Sequence, residues 1–192
     1  MRRITTSICA LYLSAAVVFT AEKEATKPYK ETLSLLGITF RVKSASMDGE
    51  QELVIIPRGL EIDNSPIKKP IKGRVTKAEV ADLNADGSPE IYVYITLSGK
   101  DNRGEVVALS ANKKKSLSEI HIPELTSGDQ KLKDYRGHDE FAVVENVLVR
   151  RFPIYKDGDS DAKPTGGTRQ FQYKLSQGEA GWILRLDRTV EY

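Results

Sequence analysis

The chain has 192 residues, of which 40% are hydrophobic and 29% charged, and its formal net charge is +2. A chain of this length is expected to form a single domain with a sizeable core. The near-zero charge, without a dominant basic block, excludes nucleic acid as an expected partner. With one cysteine, Cys9, the chain cannot form an internal disulfide, and its length makes such a crosslink unnecessary.

The first 21 residues have the layout of a cleavable secretory signal peptide. Arg2 and Arg3 form a basic start, an uncharged apolar stretch covers residues 4–19, and cleavage is predicted after Ala21. The apolar stretch is shorter than the roughly 20 residues that span a bilayer, which disfavours a membrane anchor. Cleavage leaves 171 residues (192 less 21), removes Cys9, and takes the formal charge from +2 to 0 because both arginines are lost. We therefore expect an exported protein with no membrane anchor.

After a charged, flexible lead-in over residues 22–30, short β-rich segments recur to the end of the chain. Residues 90–97 show the pattern most clearly, with Ile91, Val93 and Ile95 on one face and tyrosines on the other. Turn residues recur roughly every 8 to 12 positions, so the sequence predicts an all-β, single-domain antiparallel β-sandwich of about eight strands over residues 31–192. The predicted strand segments are 32–42, 52–56, 75–83, 90–97, 105–110, 117–122, 140–155, 170–175 and 181–190, with breaks at 47–49 and Pro57 and one helical turn within 126–138.

The sharpest short motif is an oxygen-rich turn between two predicted strands, with Asp82, Asn84 and Asp86 at alternate positions before a glycine. This spacing resembles the start of a calcium loop. The glutamate that closes an EF-hand loop is missing, because Val93 occupies its position. Asp and Asn also favour tight turns, and Asp-Gly is a strong hairpin signal, so we interpret the segment as a turn that needs no cofactor. The alternative is a calcium site formed by Asp82, Asn84, Asp86 and Glu90.

Groups for catalysis are sparse. No cysteine remains after cleavage, and the chain has no Gly-x-Ser-x-Gly elbow. His121 and His138 lack metal-ligand spacing; we expect His121 to be half-buried in a strand and His138 to orient a turn. The acidic segment 157–161 is interpreted as a solvated loop. The chain is therefore predicted to bind a partner rather than to catalyse a reaction.

A long polar loop follows the strand predicted at residues 90–97. Two glycines bracket four polar residues, which is more than a hairpin needs. Binding residues tend to lie on such loops when a rigid sheet carries them, and a solvated hairpin without a role is the alternative. The predicted binding loop consists of Ser98, Gly99, Lys100, Asp101, Asn102, Arg103 and Gly104.

Three stretches of the chain resemble the periplasmic inhibitors of i-type (invertebrate) lysozyme. They are residues 80–94 (VADLNADGSPEIYVY), 115–120 (KSLSEI) and 137–188, which contains LVRRFPIYKDGD, KPTGGTRQ and GEAGW. The resemblance covers most of the chain from Val75 onward. It implies a periplasmic β-sandwich, often a homodimer, that inserts a loop into the lysozyme cleft and blocks it without chemistry.

The loop expected to enter the cleft departs from that family. Family members carry Ser-Gly-x-Tyr after the Tyr-Val-Tyr strand, and here Lys100, Asp101 and Arg103 replace the serine, the glycine and the tyrosine. A cationic tip at Lys100 and Arg103 would pair with one of the two carboxylates of a lysozyme cleft. The alternative is an exported, non-catalytic binding module of the same fold for another envelope or protein ligand.

Overall fold

The computed structural model describes residues 27–45, 49–99, 101–125 and 128–192. The predicted signal peptide lies outside these ranges, and so do residues 22–26 of the predicted lead-in, Met47 and Asp48 of the predicted break, and Lys100 of the predicted loop. No helix within the described ranges is long and apolar enough to cross a membrane.

The described residues form an all-β fold of antiparallel strands, as the sequence predicts. Strands β1 to β7 make one sheet and β8 to β11 a second, each with neighbours in the chain side by side. The predicted helical turn is confirmed as the 3-10 turn Gln130–Leu132. The strands are β1 (Tyr29–Leu35), β2 (Ile38–Ser44), β3 (Glu50–Arg58), β4 (Ile67–Ala81), β5 (Glu90–Leu97), β6 (Gly104–Asn112), β7 (Ser116–Glu119), β8 (Glu140–Val144), β9 (Val147–Pro153), β10 (Thr168–Gln177) and β11 (Trp182–Glu191).

Eleven strands rather than about eight are found among the described residues, partly because two predicted segments are hairpins. The first turns at Leu36 and Gly37, where φ is 51° and 86°, and the second turns at Glu145, where φ is 53°. Positive φ matches the twist of the two flanking strands. Leucine and glutamate rarely adopt positive φ, which explains why neither turn is apparent from residue type.

The sequence predicts a strand break at Pro57, but β3 continues through this residue. Pro57 is buried and pairs in register with Phe40 of β2, and the strand continues to Arg58. The ladder between β3 and β4 ends at Ile55, so β3 has a neighbour on one side only at Pro57. A missing backbone N–H is tolerated at such an edge.

The longest strand, β4, bends the large sheet. Its first half pairs with β3 and its second half with β5, and its register shifts between Val75 and Lys77. Gly73 precedes this shift with φ 148°, and a Cβ there would lie 2.2 Å from the carbonyl oxygen of Thr96. Beyond this bend the sheet curls over, so that β1 and β2 also contact β4.

Two hydrophobic cores lie on opposite faces of the middle of the large sheet. The first lies inside the curl and includes Phe40, Leu53 and Ile91. The second lies between the large sheet and the four-stranded sheet and includes Tyr92 and Leu184. Strand β5 is therefore buried on both faces. Its aliphatic residues belong to the first core and its tyrosines to the second.

Candidate functional site

The predicted binding loop, residues 98–104, joins β5 to β6 at one end of the large sheet. Its backbone enters unusual conformations at Gly99 (φ 154°) and Asn102 (φ 43°). Both φ values lie in the region that favours glycine, as expected where a chain reverses its direction. The exposed residues of the described part are Ser98, Gly99, Asp101, Asn102 and Arg103.

The base of this loop is held by hydrogen bonds to the large sheet. The Leu97 N–H donates to the Arg103 carbonyl (2.8 Å), and the Ser98 N–H donates to the Lys72 carbonyl of β4 (3.2 Å). The Ser98 hydroxyl accepts the N–H of Gly49 (2.7 Å). The loop is thus fixed to β4 and to the start of β3 as well as to its own two strands.

A second contact fixes the loop from the side of the second sheet. The His138 N–H donates to the carbonyls of Asp101 (3.2 Å) and Asn102 (3.1 Å). Gly137 makes this approach possible, because a Cβ there would lie 1.6 Å from the Asp101 carbonyl oxygen and φ is 92°. Only glycine fits between the two segments at this point.

Asp139 fastens the C-terminal end of the loop to the second sheet. Its carboxylate is fully buried and accepts the Gly104 N–H (2.7 Å), the Tyr135 hydroxyl (2.5 Å) and Nε of Arg150 (2.6 Å). The Arg150 guanidinium also lies over the rings of Tyr135 and Phe152. Burial alone would lower the pKa of Arg150, but the Asp139 carboxylate raises it above its ordinary value. Arg150 therefore stays charged, and its contact with Asp139 helps to fix the Gly104 end of the loop.

Arg103 is the described cation of the predicted tip. Its Nε lies 3.4 Å from Oδ2 of Asp101, and 53% and 55% of the two side chains are exposed. Its guanidinium also lies 5.6 Å from the centre of the Tyr135 ring. An exposed ion pair contributes little free energy, about 0–1 kcal/mol, so Arg103 can exchange Asp101 for another carboxylate at small cost.

An open cleft of about 480 Å³ lies beside the loop, between the two sheets. One wall is formed by Arg103 and Gly104. The other walls are mixed in polarity, and their charged residues are Glu105, Glu124 and Arg150. Apolar lining residues include Ile122, Leu125, Leu132 and Phe141.

The two histidines are not part of a catalytic arrangement among the described residues. His121 is exposed rather than half-buried as predicted, because only its backbone is used, in a bridge to Ile183 of β11. His138 orients the loop, as predicted for a turn, but through its backbone N–H. Neither imidazole takes part in a hydrogen bond between described side chains.

The acidic segment 157–161 forms a loop between β9 and β10. The Asp159 carboxylate accepts the backbone N–H groups of Lys156 (2.7 Å) and Thr165 (2.8 Å), which closes this loop. These hydrogen bonds hold the pKa of Asp159 below its ordinary value. The other acidic residues of the segment are exposed, as the sequence predicts.

The oxygen-rich motif is the turn between β4 and β5, as the sequence predicts. The Asp82 carboxylate accepts the N–H groups of Asp86 (3.0 Å) and Gly87 (2.9 Å), and the Asn84 amide donates to Asp86 (3.1 Å). The turn also brings the carboxylates of Asp82, Asp86 and Glu90 together, with ligand oxygens within 4.8 Å of one another. Three of the four residues of the calcium alternative are thus adjacent.

The contact of Asp139 with the loop carries no signal in the sequence. Asp139 and Gly104 are 35 positions apart, and their contact depends on how the two sheets pack. No protein-family model matches the chain, and no curated protein sequence matches it. The geometry of the loop and the resemblance described above are therefore the basis for a function.

Proposed function

We propose that the chain is an exported, non-catalytic inhibitor of lysozyme that acts in the periplasm. The residues that resemble i-type lysozyme inhibitors support this proposal. The observation that carries it is the loop at residues 98–104, in which the described tip residues 101–103 are exposed while hydrogen bonds from β4, His138 and Asp139 hold the loop. A loop whose ends are held in place loses less conformational entropy when it binds, which favours its insertion into a cleft.

Charge suits this loop to a lysozyme cleft. Two carboxylates carry out glycoside hydrolysis in such a cleft. Arg103 is exposed, and its ion pair among the described residues is with the equally exposed Asp101, so its guanidinium is accessible to a carboxylate of the enzyme. A hydrogen bond between two charged groups is about twice as strong as a neutral one. Blocking the cleft in this way requires no chemistry by the inhibitor.

The altered tip favours a second candidate: an exported binding module for another envelope or protein ligand. Arg103 stands where the inhibitors that the chain resembles have tyrosine. One measurement distinguishes the two candidate functions. Purified mature protein, residues 22–192, is titrated into lysozymes of the i, c and g types, and lysis of a cell-wall suspension is followed. The first candidate requires inhibition of at least one type, with i-type expected, and the second requires none.

Replacing both cations of the tip tests the role of the loop. We expect Lys100→Ala combined with Arg103→Ala to weaken inhibition at least tenfold, because the charge-assisted contact is lost. The measurement is the inhibitor concentration that halves the rate of lysis.

A matched control removes two exposed cations elsewhere, by Lys163→Ala combined with Arg185→Ala. We expect this control to inhibit like the unmodified protein. Far-UV circular dichroism and thermal unfolding establish that both variants fold. Equal potency of the two variants would remove residues 100 and 103 from the binding mechanism.

A further inference from the structure

Glu90, at the start of β5, is buried without enough hydrogen-bond donors. Its side chain is 0% exposed. Oε2 accepts the Leu83 N–H (2.9 Å) and lies 3.5 Å from the Tyr92 hydroxyl, whereas Oε1 has no hydrogen-bond partner among the described residues. A buried carboxylate oxygen without a donor is costly, and such atoms are rare in folded proteins.

Two more carboxylates face the same point. Asp82 and Asp86 place oxygens within 4.8 Å of that of Glu90, and none of the three is paired with a described lysine or arginine. Lys113 and Lys114 line open space beside Asp86, but neither forms an ion pair with the cluster. Burial, with the charges of the two aspartates, raises the pKa of Glu90 to about 8. Without a cation, an ionised Glu90 would be repelled by both aspartates.

A second buried oxygen without a partner lies on the neighbouring strand. Ser110 of β6 is directly opposite Glu90 in the register, and its Oγ is also buried and unpartnered among the described residues. Residues opposite each other in an antiparallel pair point to the same face of the sheet. Two adjacent strands therefore bring under-coordinated oxygens to one place beside the turn.

We propose that Asp82, Asp86 and Glu90 bind a calcium ion. The donors are all oxygens, the ligand type of hard cations, and a spread of 4.8 Å is about twice a Ca–O distance of roughly 2.4 Å. The turn is already formed, because backbone N–H groups orient Asp82 and Asp86. Magnesium is disfavoured, because it demands near-ideal octahedral geometry at about 2.1 Å.

This site differs from an EF-hand in the origin of its last ligand. Glu90 is the ninth residue of the motif rather than the twelfth and belongs to a strand. The ion would join the end of β4 to the beginning of β5. The binding loop leaves the opposite end of β5, so the site does not depend on the function proposed above.

Metal titration of the mature protein tests this site. Protein freed of metal by dialysis against chelator, and then against chelator-free buffer, is titrated with CaCl₂ or MgCl₂ in a calorimeter and unfolded thermally. We expect a saturable heat with calcium, a rise in Tm of about 5 °C or more, and a smaller rise with magnesium. Absence of both heat and Tm change at millimolar calcium overturns the proposal. An equal response to magnesium overturns the assignment to calcium.

Two variants assign the response to these residues. Glu90→Gln replaces the ligand carboxylate with a neutral amide of the same size, so we expect it to be at least as stable as the unmodified protein without metal and to bind calcium at least tenfold more weakly. Asp86→Asn, at an exposed ligand, keeps an oxygen acceptor for the Ser88 N–H and is expected to weaken binding similarly. Asp157→Asn, in the exposed acidic loop, is the control and is expected to keep the full response. An unchanged response in Glu90→Gln or Asp86→Asn overturns the site.

Discussion

Two fully buried carboxylates, Asp139 and Glu90, have opposite surroundings. Asp139 accepts three hydrogen bonds, and one of its donors is the Arg150 guanidinium at 2.6 Å. Glu90 accepts one short hydrogen bond and faces two aspartates. Removing one partner of a buried ion pair costs about 3–5 kcal/mol, so the loss of Asp139 would leave Arg150 buried without its partner. The ionised form of Glu90 destabilises the fold unless a cation is bound.

The raised pKa of Glu90 predicts how stability varies with pH in metal-free buffer. The folded state keeps the proton of Glu90 up to about pH 8, whereas the unfolded state releases it near the ordinary value of 4.5. The folded state then binds more protons than the unfolded state, so the free energy of unfolding falls as pH rises from 5 to 8. The slope is at most about 1.4 kcal/mol per pH unit.

Urea unfolding of the protein and of Glu90→Gln at pH 5, 6, 7 and 8 measures this slope. The variant has no carboxyl at position 90, and we expect its free energy of unfolding to be nearly constant over the same range. Parallel profiles for the two proteins would mean that Glu90 does not hold its proton in the folded state.

At the scale of elements, the sequence predicts those strands, turns and loops that a local residue pattern determines. The alternation in β5, the turn after β4 and the loop at residues 98–104 all have local signals, and the structure confirms that these elements exist. The first half of β4 is missed because Lys69 and Gly73 occupy the inward-facing positions between Ile67, Ile71 and Val75, so no apolar alternation is visible. The support of the loop by Gly137 depends on contacts between sheets, which local pattern does not contain.

The contact at Gly137 predicts that the loop is sensitive to a single methyl group. Gly137→Ala places Cβ on the Asp101 carbonyl and forces alanine into positive φ, so we expect a loss of about 1–3 kcal/mol in stability. The loop must also move, so we expect weaker inhibition of lysozyme. Chemical unfolding and the lysis assay measure the two effects separately.

Gly128→Ala is the matched control, because this glycine belongs to the same connection between β7 and β8. A methyl group on its Cα would have no described atom within 4 Å, and its φ is not positive. We expect this variant to leave both stability and inhibition nearly unchanged. If Gly137→Ala inhibits like the control while it loses stability, the position of the loop does not matter for binding.

At the scale of the whole molecule, one strand belongs to both cores. Ile91 of β5 lies in the first core and Tyr92 lies in the second, so neither core is complete without β5. The prediction of a β-sandwich follows from strand pattern alone. The curl of the large sheet does not, because it depends on the bend at Gly73 and on tertiary contacts of β1 and β2 with β4.

Because β5 belongs to both cores, we expect the two cores to unfold together. Leu53→Ala in the first core and Leu184→Ala in the second each remove a fully buried side chain, at a cost of about 2–5 kcal/mol. Trp182 lies beside the second core and reports on it by fluorescence. We expect both variants to shift the unfolding midpoint of Trp182 and that of far-UV circular dichroism together. A Trp182 midpoint that is unchanged in Leu53→Ala would show that the cores unfold independently.

The order of strands within the two sheets has a consequence for how the chain folds. Every strand of either sheet pairs with strands next to it in the chain. Such contacts close short loops and carry a small loop-closure entropy, so the contact order within each sheet is low for an all-β protein. Each sheet can therefore grow by adding one hairpin at a time. The bridge between His121 and Ile183 joins positions far apart in the chain, and we expect it to close late, when the second sheet docks on the first.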